Sequence, residues 1–251
     1  MLALIIRRIL QSIAVMLAVA LIAFTLFRYV GDPISQMVGQ ETPIEEREKL
    51  REALGLNDAV VVQFARFVAN TAQGEFGISY RIGRPVNELI ASRMPATLEL
   101  SLIAAAFSLL FGIPMGVYTG LHPDKWLSKV FLTVSLVGIS LPTFLIGILL
   151  ILLFGVLPEE GGLPTFGRGE VVEIGWWTTG LLTTSGLRSL IMPAFTLGMF
   201  QLTLIMRLVR SEMLEVLRTD YIKFARARGL TNRAVNFGHA LKNTLVPVIT
   251  I

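Results

Sequence analysis

Apolar residues in this chain are gathered into runs long enough to cross a lipid bilayer, and no other feature limits its fold as strongly. An α-helix rises 1.5 Å per residue, so crossing ~30 Å of hydrocarbon takes roughly 20 apolar residues. Four stretches meet or approach that length: residues 9–27, 100–118, 130–157 and 187–206. None carries Asp, Glu, Lys, Arg or His, apart from Arg188 at the outer mouth of the fourth. A fifth run opens at Leu245 and reaches Ile251. The expectation is an all-α, polytopic helical membrane protein with four spans and the start of a fifth, truncated inside that fifth span.

Composition supports this reading. Only 16% of the 251 residues are charged and 53% are hydrophobic, whereas soluble domains carry about 25% charge. Disorder requires the opposite balance. Arg7, Arg8 and the Ala18-Val19-Ala20 triplet resemble a signal peptide. The apolar run continues to Phe27, beyond the usual h-region of 7–15 residues, so residues 1–30 read as an uncleaved anchor helix.

Charge placement sets the expected topology. Arg7 and Arg8 precede the first span, and Lys125 and Lys129 lie between the second and third. Residues 207–242 hold eight basic and three acidic side chains, a net +5 against +4 for the whole chain. Basic residues in short flanks stay in the cytoplasm. With four alternating crossings, all three regions fall on that side and the N-terminus is cytoplasmic. Residues 31–96 and 158–186 then face outward, the latter acidic through Glu159, Glu160, Glu170 and Glu173.

The first outer segment, 31–96, reads as a helical element. Thr42-Pro43-Ile44-Glu45 has the form of a capping box, with a helix running to Leu54 and stopping at Gly55. A second helix is expected over 58–72, with an apolar stripe of Val60, Phe64, Phe67 and Val68. Two readings fit that stripe: packing on the membrane part, or meeting an incoming substrate carrier. A third, interfacial helix is expected over 85–93, ending at Pro95.

Several chemistries lack their residues. No cysteine is present, so disulfides, zinc-thiolate sites and Cys nucleophiles are excluded. There is no HExxH, GxSxG or GxxxxGK[ST] pattern. No metal site or catalytic residue is expected, and ATP binding in the Walker manner falls to another chain. Span cores without ionisable groups do not suit an ion-coupled transporter, which needs them. A secondary transporter remains the less favoured alternative. Gly112, Gly116 and Gly120 recur every fourth residue and form a small-residue helix-packing face. Ser140, Pro142, Thr143 and Gln201 are candidates for a translocation path, with ordinary helix packing as the other reading.

After Met206 the chain forms a helix, a break and a second helix. Leu208, Met213, Leu214 and Leu217 continue the fourth span as a helix. Asp220 is placed to cap the next helix and Gly229 to end it, and Thr231 or Asn232 to cap another that runs to about Asn243. Basic juxtamembrane residues often only hold anionic lipid. A helix–glycine–helix elbow exceeds that need and suits a groove on a soluble partner.

The segment Tyr221-Ile222-Lys223-Phe224-Ala225-Arg226-Ala227-Arg228-Gly229-Leu230, with His239-Ala240-Leu241-Lys242-Asn243 and Pro247, resembles the cytoplasmic coupling loop of ABC importer permeases. The likeness is greatest to the dipeptide/oligopeptide/nickel branch. The general loop begins Glu-Ala-Ala, with glycine four positions after the second alanine. Ala225 and Gly229 match, while Lys223 and Phe224 stand where Glu and the first Ala would be, a departure similar to the peptide branch. The resemblance continues at Gly74-Glu75-Phe76-Gly77-Ile78-Ser79, at Arg93-Met94-Pro95-Ala96-Thr97-Leu98-Glu99-Leu100 and at Gly112-Ile113-Pro114-Met115-Gly116.

This resemblance implies a type I ABC importer transmembrane domain over 97–251, with its coupling loop at 207–244. It implies a permease subunit of an ATP-driven, binding-protein-dependent importer carrying di- or oligopeptides across the bacterial inner membrane. Nickel chelate, glutathione or an oligosaccharide is the alternative cargo. The implied partners are a second homologous permease, two ATP-binding subunits and an extracytoplasmic substrate-binding protein, with no nucleic acid. ATP and Mg would be used by the partners, and no cofactor would be bound by this chain. Lys223, Phe224, Ala225, Arg226, Ala227, Arg228 and Gly229 would form the ATPase contact.

Overall fold

A computed structural model describes residues 2–30, 34, 38, 42–79, 81–158 and 160–250. The chain divides into two compact units, Met1–Arg93 and Met94–Ile251.

In the first unit, α1 (Leu2–Val30) carries Arg7 and Arg8 near its start and is largely apolar from Ile9 to Phe27, and none of its span from Ala3 to Leu26 is buried. Helix α2 (Ile44–Ala53) is charged. It ends in a Schellman motif: Leu56 N donates to Arg51 O, and Gly55 N donates to Glu52 O, with Gly55 at φ 65°. The expected capping box does not form. Pro43 is itself the N-cap, with ψ 145° and no side-chain cap bond, and Glu45 pairs with Lys49 instead at 2.9 Å. Helix α3 (Val60–Ala72) turns Phe64 and Phe67 onto Phe24 of α1, with ring centroids 5.6 and 6.2 Å apart. That contact takes up part of the apolar stripe by packing, the first of its two readings. The buried Gln63 amide donates to the carbonyls of Leu56 and Asp58, tying α3 to the turn before it.

Helix α4 (Val86–Leu121) runs unbroken through Pro95 and Pro114. The short helix expected to end at Pro95 is therefore the first turns of a 36-residue helix. Proline removes one backbone bond, which long apolar helices tolerate when neighbours enclose the site, and Pro95 is fully buried.

The third apolar run is not a straight crossing. Helices α5 (Trp126–Ser140) and α6 (Thr143–Leu150) with a π-helical stretch (Ile151–Val156) meet at a bend of 105°. Leu141 is extended (ψ 132°), as the residue before proline prefers. Pro142 has no N–H to continue the ladder and becomes the N-cap of α6. Among the described residues there are thus three long apolar helices, and a fourth crossing if the bent pair counts as one.

A two-stranded antiparallel hairpin follows, β1 (Val172–Ile174) and β2 (Trp177–Thr179), in register Val172–Thr179, Glu173–Thr178 and Ile174–Trp177. Gly175 (φ 63°) holds the first position of its two-residue turn, where a type II′ turn requires glycine. Helix α7 (Thr184–Val216) begins with a side-chain cap, Thr183 Oγ1 accepting from Gly186 N at 3.0 Å.

Helix α7 is the centre of the second unit. Helices α4, α5 and α6 pack on it, as does the last helix, α9 (Leu241–Ile249). Gly112, Gly116 and Gly120 of α4 lie directly against it. A Cβ on Gly116 would stand 2.6 Å from Val209 Cβ and 2.7 Å from Met206 O, and one on Gly120 would stand 2.9 Å from Met213 Cβ. Side chains cannot approach so closely, so glycine is what lets the two backbones meet. Ser108 Oγ donates to Gly198 O across the same seam at 2.9 Å.

Candidate coupling elbow and hairpin clasp

Where α7 leaves the apolar region, the chain turns into α8 (Asp220–Ala227), a π-helical stretch (Ala234–Ala240) and α9. Thr219 is the N-cap of α8. Asp220 is its first residue and its carboxylate takes Lys223 Nζ at 2.9 Å rather than capping the backbone. Residues three apart share a helix face. Ile222 (0% exposed) and Ala225 (6%) therefore turn inward together. They join Val117, Ile205, Val209, Met213, Val235, Ala240 and Val248 in one apolar core.

The opposite face is free. Phe224 is 64% exposed, and Lys223, Arg226, Ala227, Arg228 and Gly229 are exposed with it. The Arg228 guanidinium carbon lies 5.8 Å from the centre of the Phe224 ring, within cation–π reach. Six of the seven residues assigned to the partner contact thus lie on one surface, and Ala225 lies beneath it.

Gly229 makes the elbow. Leu230 N donates to Ala225 O and Gly229 N donates to Arg226 O, the two bonds of a Schellman motif, with Gly229 at φ 79°. Thr231 rather than Asn232 caps the following turn, its Oγ1 accepting from Ala234 N at 3.3 Å. Asn243 Nδ2 donates to Tyr221 Oη at 2.6 Å, and Thr244 Oγ1 donates to Ala240 O at 3.0 Å. The Asn243–Tyr221 bond thereby fastens α8 to α9, and the shared apolar core fastens it to α7.

Ser140, Pro142 and Thr143 surround the 105° break and are exposed, while Gln201 is half-buried on α7. Among the described residues the side chains of Ser140, Thr143 and Gln201 make no hydrogen bond.

One further cluster centres on Glu99, a residue of the 93–100 motif to which the sequence assigns no role. Glu99 is 3% exposed, yet its carboxylate takes four interactions. Arg168 Nη2 lies at 3.2 Å, Trp177 Nε1 donates at 3.2 Å and Gly180 N donates at 3.3 Å; the Thr179 side chain bonds it too. Arg168 also donates to the hydroxyl and carbonyl of Thr178. This clasp holds the hairpin over α4. Arg188 Nη2 makes a second clasp, donating to the carbonyls of Gly161 and Gly162.

Three long apolar helices, a bent fourth run, a clasped hairpin and an exposed basic elbow describe a multi-pass membrane protein. Residues 112–251 match the model of the binding-protein-dependent transport system inner membrane component, and residues 1–101 match that family's N-terminal membrane component. The chain belongs to this family of ABC importer membrane subunits, which are permeases rather than enzymes. It is 36% identical to the oligopeptide transport system permease protein AppB of Bacillus subtilis, over all of this chain and 78% of that protein. It is 38% identical to the di/tripeptide transport system permease protein DppB of Pseudomonas aeruginosa, over all of this chain and 78% of that one. It is 36% identical to the dipeptide transport system permease protein DppB of Haemophilus influenzae, over 98% of this chain and 77% of that one.

Proposed function

We propose that this chain forms half of the path by which di- or oligopeptides are imported, and that α8 couples it to an ATP-binding subunit. A second, similar permease completes the path. Two ATP-binding subunits lie on the cytoplasmic side, where the N-terminus also lies, and an extracytoplasmic binding protein delivers cargo to the outer side. ATP and Mg²⁺ belong to the ATP-binding subunits. Peptide is the cargo named for the relatives, and the elbow follows the peptide-branch pattern.

The observation that carries this reading is the two-sided α8. Its inner face is built into the core of α7, α9 and the end of α4, while its outer face is basic, aromatic and uncovered. Helix α7 is continuous over 33 residues, about 50 Å. A force on α8 therefore reaches the apolar region through a stiff lever. The glycine seam passes it to α4, and the α5/α6 break lies beside the same lever.

The test is co-purification from membranes. Arg226→Glu with Arg228→Glu should lose the ATP-binding subunit while retaining the second permease. Normal recovery of both, with normal dipeptide uptake, would refute the coupling assignment.

A further inference from the structure

We propose that the groove between α5 and α7 holds the phosphate of an anionic phospholipid. The groove has a volume of about 390 Å³ and is lined by Leu132, Ser135 and Leu136 of α5 and by Arg207, Arg210 and Ser211 of α7. On each helix these positions are three and four residues apart, so each set shares one face. The two faces oppose each other one turn beyond the point where Gly138 lies against Thr203.

Three observations point to a phosphate. Among the described residues, neither arginine is ion-paired; the nearest carboxylates in sequence, Glu212 and Glu215, pair with neither. The Nε of Arg210 is buried without a hydrogen-bond acceptor, a costly state for a charged donor. No acidic residue lines the groove. Two guanidinium groups and an open hydroxyl at Ser211 offer what a phosphate monoanion or diester accepts.

The surroundings favour a lipid over free phosphate. Arg207 directly follows Met206, the last residue of the fourth apolar run, which puts the guanidinium groups at headgroup level. Leu132 and Leu136 line the groove, and Leu136 and Leu204 are exposed beside it. A phosphate with acyl chains attached matches this juxtaposition of charge and apolar wall, and basic pockets between spanning helices hold such headgroups. The inference depends on α7 lying in the membrane, and not on cargo or coupling.

The test uses the full-length protein, purified with the subunits that accompany it and placed in nanodiscs of equal phosphatidylglycerol and phosphatidylcholine. Native mass spectrometry after gentle extraction should find phosphatidylglycerol retained over phosphatidylcholine by roughly tenfold or more. Arg207→Gln with Arg210→Gln should bring the two to parity, while Lys125→Gln with Lys129→Gln should not. Excess inorganic phosphate should leave the lipid in place. Equal retention by the unaltered protein, a preference that survives the double arginine change, or displacement by inorganic phosphate alone would overturn the assignment. The first and third readouts need no variant. Ser211→Glu, which puts a carboxylate beside both arginines, is a second route to the same loss if the double variant fails to insert.

Discussion

The carboxylate of Glu99 and the guanidinium of Arg168 meet at 3.2 Å although 69 residues separate them in the chain. Glu99 opens the apolar run of α4 and Arg168 precedes the β-hairpin. The pair therefore fastens the hairpin loop to a long apolar helix. The Glu99 side chain is 4% exposed and the Arg168 side chain 32%, so the buried partner has most to lose.

Removing Arg168 leaves a buried carboxylate short of a charged donor, and such a loss costs about 2 kcal/mol. Arg168→Met should lower the melting temperature of the detergent-solubilised protein by several degrees. Trp177→Phe, which removes one neutral donor, should cost about 1 kcal/mol. Glu99→Gln combined with Arg168→Met should cost less than the sum of the two single changes; additive losses would show that the pair does not act as a unit.

The glycine seam should rank by distance. A Cβ meets Val209 Cβ at 2.6 Å from Gly116, Met213 Cβ at 2.9 Å from Gly120, and Ile205 Cγ2 at 3.1 Å from Gly112. Overpacking costs about 1–3 kcal/mol. Alanine should therefore hurt most at 116, less at 120 and least at 112, read as loss of thermal stability. Trimming Val209 to Ala should rescue Gly116→Ala only in part, because the Met206 carbonyl at 2.7 Å is backbone.

The chain has no cysteine, so single thiols can be introduced without background. Cysteine at 140, 143 or 201 should react with a polar maleimide in membranes, whereas cysteine at 135, which is buried, should not. Cargo or a bound nucleotide should alter the reactivity at 140 and 143 if the break lines the path. Rates at all three positions that match a lipid-facing thiol on α1 would remove them from it.

Gly229 sits at φ 79° with open space around a would-be Cβ. Only its backbone resists substitution. Gly229→Asn, which tolerates the left-handed region, should keep part of the uptake, and Gly229→Val should abolish it while the protein still inserts. Equal uptake by both variants would separate the elbow's shape from its function.

Much of this architecture is legible in the amino-acid sequence. Apolar length alone locates α1, α4 and α7, because a bilayer leaves few alternatives. The elbow is legible too, since Gly229 and the alternation of Ile222 and Ala225 with Arg226 and Arg228 are local signals. The break at Pro142 is only half legible: proline marks it, but Pro95 and Pro114 show that proline by itself does not break a helix. The capping box at Thr42 fails because Pro43 takes the capping position. The Glu99 clasp is invisible because its donors come from residues 168–180 and no local pattern joins them to α4. The hairpin does carry a local signal, the β-branched and aromatic run around Gly175.

The central claim is that the outer face of α8 touches an ATP-binding subunit. A photo-activated crosslinker placed in turn at Phe224, Arg228, Ile222 and Trp176 tests it directly in native membranes. Crosslinks to the ATP-binding subunit from 224 and 228, with none from the buried 222 or from the hairpin tip at 176, are the predicted result. No crosslink from 224 or 228, or an equal yield from 176, would contradict it.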